Sequence, residues 1–113
     1  MDFDYSDDQK FLKEEARKFL AAHCDVGVVR GVLDNADRSF DEKLWKGVTE
    51  QGWLGASIPE EHGGLGLGRV ELCAIAEELG RAVAPIPFAS TVYVLAEGLM
   101  AYGSDAQKAP ILP

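Results

Sequence analysis

A chain of 113 residues, 47% apolar and 27% charged, has globular composition and is long enough for one domain with its own core. That excludes a disordered or fibrous polymer. Eleven basic residues against nineteen acidic ones leave a net charge of −8, which excludes a polyanion-binding role unless the basic residues cluster. Lys and Arg are instead scattered singly, so the chain is also a poor seat for a phosphorylated cofactor or an anionic lipid surface.

Cys24 and Cys73 are too few and too far apart for a secreted disulfide framework. The opening Met1-Asp2-Phe3-Asp4 is acidic where a secretory signal is basic, and no long apolar run follows it. The cytoplasm is the expected compartment, and a matrix protein stripped of its transit peptide would read the same way.

In chain order, Ser6-Asp7-Asp8-Gln9 has the form of a capping box, a hydroxyl with a glutamine three residues on. Phe11, Leu12, Ala16, Phe19 and Leu20 recur at helical spacing, so a helix is predicted from Ser6 to Ala22. A weaker helix, interrupted by Gly27 and Gly31, is predicted from Val26 to Leu33. Ser39-Phe40-Asp41-Glu42 reads as a second capping box, opening a helix through Leu44, Trp45 and Val48 that Gly52 closes. A loop with Pro59, Gly63, Gly64, Gly66 and Gly68 follows. Arg69 to Leu79 returns to helical period and is expected to end at Gly80.

Ala84-Pro85-Ile86-Pro87 is a stiff extended connector, because each residue before a proline is pushed out of the α region. Pro87 starts a helix, apolar nearly all round, that runs from Phe88 to Tyr102 and stops at Gly103. Ser104-Asp105-Ala106-Gln107 is a third capping box, and Pro110 is expected to cut the last helix short. The sum is an all-α bundle of about six helices. Ending at Leu112-Pro113, the chain reads as one domain, residues 1–113, cut at a domain boundary.

Four groups of residues invite a chemical role. Gly63-Gly64-Leu65-Gly66-Leu67-Gly68 resembles a phosphate cradle but fails the dinucleotide pattern, with Arg69 where glycine is required and no preceding strand. A tight structural loop is the better reading. His23, Cys24, His62 and Cys73 lack any metal-ligand spacing. The pairs Asp7/Asp8, Glu14/Glu15, Glu60/Glu61 and Glu77/Glu78 diverge by about 100° on a helix and form no catalytic dyad. Among them, Glu77 or Glu78 is expected to be partly buried in a structural role. Phe88, Thr91, Val92 and Leu95 make an i, i+3, i+4, i+7 stripe, which serves equally as core or as the wall of an aliphatic slot. No catalytic residue, cofactor-binding residue or metal site is assigned on this chain.

Several pieces become informative together: Trp45, Gly52-Trp53-Leu54-Gly55, Pro59-Glu60-Glu61-His62-Gly63-Gly64-Leu65-Gly66-Leu67, and Glu77-Glu78-Leu79-Gly80-Arg81. In this order they resemble the N-terminal helical domain of the acyl-CoA dehydrogenases, and Gly103 with Gln107-Lys108 and Leu112-Pro113 looks like its end. The resemblance implies a larger protein with a middle β-domain and a C-terminal helical domain, both absent here. It further implies FAD bound mainly by those domains, an acyl-CoA substrate oxidised at its α,β bond, and an electron-transfer flavoprotein or similar acceptor. A homo-oligomer or heteromeric complex is implied as well. This domain would supply a wall of the acyl pocket, with Phe88, Thr91, Val92 and Leu95 as its lining. Pro85 and Pro87 look like a branch with unusual substrates, bulky ones among the options. An acyl-CoA oxidase or a non-catalytic partner subunit of the same fold is the near rival, and a free-standing helical interaction module the distant one.

Overall fold

The computed structural model describes residues 4–112. Met1 to Phe3, on which the reading of the N-terminus partly rests, and the terminal Pro113 lie outside that range. The described residues form helices and turns without a strand.

Helix α1 (Asp7–His23) opens on the expected capping box. Gln9 N–H donates to the Ser6 hydroxyl at 3.2 Å, and Ser6 N–H donates to Gln9 Oε1 at 2.8 Å. Asp7 and Asp8 occupy its first turn, where the helix dipole favours negative charge. Helix α2 (Val26–Leu33) is capped by Asp25, whose carboxylate accepts from Val28 N–H. Helix α3 (Glu42–Glu50) begins later than the Ser39 reading requires. Asp41 is its N-cap and accepts from Leu44 N–H at 2.7 Å. The reason is tertiary: Asp41 is already fixed by Arg38 at 2.8 Å and by its own N–H to Pro85 O at 2.9 Å.

Gly52 closes the α3 region at φ 81°, followed by 3-10 turns at Trp53–Gly55 and Glu60–His62. Helix α4 (Arg69–Arg81) runs through Gly80 instead of stopping there. The reversal comes at Val83, which sits at φ 51° while Ala84 N–H bonds back to Leu79 O, the 6→1 bond of a Schellman-type ending.

The segment after Pro87 departs most from expectation. Ala89–Ala96 is wound as a π-helix and passes directly into α5 (Glu97–Tyr102). Helix α6 (Asp105–Ile111) opens on the expected Ser104 capping box but carries Pro110 inside it, ending one residue beyond.

The main core packs α1 against α4 and, through the Trp53–Gly55 turn, α3 against the π segment. It holds Ala16, Leu20, Leu44, Val48, Trp53, Ile75, Phe88 and Val92. Ile58, Ala96 and Leu112 form a smaller cluster at the other end of the π segment.

Candidate functional site

From Gly63 to Leu67 the glycine loop is committed to the backbone. The N–H groups of Gly63, Gly64, Leu65, Gly66 and Leu67 donate to the carbonyls of Glu60, Pro59, Gly55, Ile58 and Ala56 at 2.8 to 3.1 Å. A phosphate cradle needs free, convergent N–H groups, and none remains over this stretch. A Cβ on Gly64 would lie 2.1 Å from Ile58 O, so glycine there serves close approach of two backbones. Gly63 and Gly66, at φ 86° and 68°, serve the turn itself.

The pair Glu77/Glu78 also has a structural role. Glu78 is 1% exposed, and its carboxylate takes Lys13 Nζ at 2.7 Å, Arg17 through Nε and Nη2 at 3.2 Å each, and Arg81 Nε at 3.3 Å. Burial alone raises its pKa, but the hydrogen bonds from Arg17 and Lys13 outweigh that and leave it lowered. Glu77 beside it holds Lys13 at 2.7 Å and accepts from the Tyr5 hydroxyl at 2.6 Å. This is a clamp of α1 onto α4. A carboxylate held ionised by three cations is a poor proton acceptor.

His23 lies against Phe19 with ring centroids 4.6 Å apart and the planes tilted by 41°, and Cys24 is buried in the core, where burial pushes its thiol pKa up. Cys73 lies on α4, exposed. Among the described residues no group of three His, Cys, Asp or Glu side chains is placed to hold a metal ion. No described helix is long and apolar enough to cross a membrane.

The four residues predicted to line an acyl slot are split by the π winding. In an α-helix, positions i, i+3, i+4 and i+7 share a face about 100° wide. An i→i+5 winding has more residues per turn, so side chains four apart line up and those three apart separate. Phe88, Val92 and Ala96 form one row, 4%, 0% and 6% exposed, turned into the core. Thr91 and Leu95 form another, beside an apolar cleft of about 60 Å³ shared with Leu54, Ile58, Ala96, Ile111 and Leu112. A third row carries Tyr93 and Glu97 to the edge of a shallow groove of about 510 Å³ against Leu72, Cys73 and Ala76 of α4, with the Arg69–Glu97 ion pair at its end. Val94 is 70% exposed and Leu95 48%. Sequence periodicity reads the stripe as α-helical and misses Tyr93 and Ala96; the run Val92-Tyr93-Val94, poor in helix propensity, is the local signal of an irregular winding.

A third concavity, about 660 Å³, lies between the end of α1 and α3. Its walls mix Lys43 and Lys46 with Asp25, Asp41 and Glu50, a lining without one dominant sign.

Comparison with known proteins places these features in a family. The sequence model for "Acyl-CoA dehydrogenase, N-terminal domain" matches residues 6–113. The chain is 34% identical over 102 residues to the acyl-CoA dehydrogenase IpdE2 of Mycobacterium tuberculosis, covering 89% of this chain and 32% of that protein. In structure it resembles the ChsE4-ChsE5 complex from the same organism, with a TM-score of 0.79 and 29% identity, over 96% of this chain and 27% of that one. It also resembles the steroid ACAD Tcur3481-Tcur3483, with a TM-score of 0.76 and 29% identity, over 97% and 29% of the two chains. The chain thus spans under a third of the length of each of these relatives.

Proposed function

Because this chain belongs to the acyl-CoA dehydrogenase family as its N-terminal domain, we propose that it works as the substrate-side helical domain of a larger FAD-dependent enzyme. That enzyme removes hydrogen across the α,β bond of an acyl-CoA thioester. A middle β-domain and a C-terminal helical domain complete it, and both the flavin and the catalytic base belong to them. The residues present here do not fit the cofactor's diphosphate: the loop N–H groups are spent on carbonyls and the net charge is −8.

The observation that carries this reading is the bare surface. A monomeric protein of 12.2 kDa is expected to expose about 6,100 Å², whereas this chain exposes 7331 Å². The excess is of the size of an interface between domains, roughly 600–1,500 Å². Leu95 and Ile111, both exposed and both lining the cleft, give that surface an apolar part. There the row of Thr91 and Leu95, with Ile58, Ala96 and Leu112 across the cleft, forms the wall of the acyl pocket. Its part in the chemistry is to bind the apolar group and keep water from the reacting carbon.

The acyl group is a bulky, ring-bearing one. The likeness to a steroid ACAD supports this, as does a wall that offers a shelf and a cleft of only about 60 Å³. An electron-transfer flavoprotein or similar acceptor takes the electrons, and the whole enzyme is an oligomer or a heteromeric complex; the likeness to the ChsE4-ChsE5 complex supports the latter.

The test is to express the chain together with the coding sequence that follows it in its gene. A yellow protein that reduces an artificial electron acceptor with an acyl-CoA, without consuming oxygen, is the expected result. Oxygen consumption instead identifies an oxidase. A product that stays colourless after FAD is added overturns the proposal.

A further inference from the structure

We draw no further inference here: the strongest candidate, the apolar groove between α4 and the π segment lined by Leu72, Cys73, Ala76 and Tyr93, carries none, because nothing in the structure shows what covers it.

Discussion

Two glycines and one valine show how differently single positions weigh on this fold. Gly64 has no room for a side chain: an added methyl meets the Ile58 carbonyl oxygen at 2.1 Å and its carbonyl carbon at 2.6 Å, and backbone cannot rotate away as a side chain can. Gly64→Ala is expected to destabilise by about 3 kcal/mol or more, read as a fall in the urea midpoint. Gly80, inside α4, has nothing within 4 Å of such a methyl, and Gly80→Ala is expected to stabilise by about 1 kcal/mol through helix propensity alone. Val83 carries the opposite burden. A β-branched residue at φ 51° holds a left-handed conformation that costs an L-residue about 1–2 kcal/mol, and 65% of it is exposed, so little packing is lost on its removal. Val83→Gly is expected to raise the melting temperature by a few degrees, and Val83→Pro, which cannot adopt positive φ, to lower it sharply.

At the scale of elements, what the sequence displays is what local bonds decide. The capping boxes at Ser6 and Ser104 each close within three residues, and both form as the spacing predicts. The Ser39 box has the same spacing and fails, because Pro85 O and Arg38 hold Asp41 instead; nothing near Ser39 announces a partner more than forty residues away. Gly80 looks like a stop signal, but the reversal comes at Val83, and the split of the Phe88, Thr91, Val92 and Leu95 stripe depends on a π winding of which the run Val92-Tyr93-Val94 is only a weak local sign. The union of α1 with α4 is partly legible, since Glu77 and Glu78 sit late in an apolar helix, though their partners Lys13, Arg17 and Tyr5 come from another element.

That union gives a prediction of its own. Glu78→Gln removes the charge on which Lys13, Arg17 and Arg81 converge. Because the two arginines are half exposed or more and can turn to water, the loss is expected to be about 2 kcal/mol, not the larger penalty of a sealed pair. The folded state holds the Glu78 pKa below its ordinary value of 4.5. Its contribution is therefore full above pH 4.5 and drains away as pH falls through the lowered native value. Wild-type stability should drop in acid over that window, and Glu78→Gln, already lacking the charge, should show a shallower drop. Parallel denaturant titrations at pH 7 and pH 3.5 measure the difference.

The whole molecule is a slab, 40 × 39 × 21 Å, with a radius of gyration of 14.9 Å against about 13 Å for a compact domain of this length. Flatness and excess surface are two views of one property: the core is made on one side of the π segment, and its other side waits for cover. Leu95 and Ile111 border the cleft there, both about half exposed, an apolar surface suited to cover. Held alone in solution, the chain is therefore expected to bind an apolar dye and to associate as its concentration rises. Leu95→Asp with Ile111→Asp should abolish both, because two carboxylates break the apolar surface beside the cleft; each side chain is only about half buried, so the cost in stability is expected to be about 1–3 kcal/mol. In the extended protein the same pair of substitutions meets a partner surface and is expected to loosen the domain junction, lowering flavin retention. Sedimentation of the isolated chain and flavin content of the extended one read the two halves separately, and a double variant that associates as readily as the wild type would show that the exposed shelf is not the face that seeks cover.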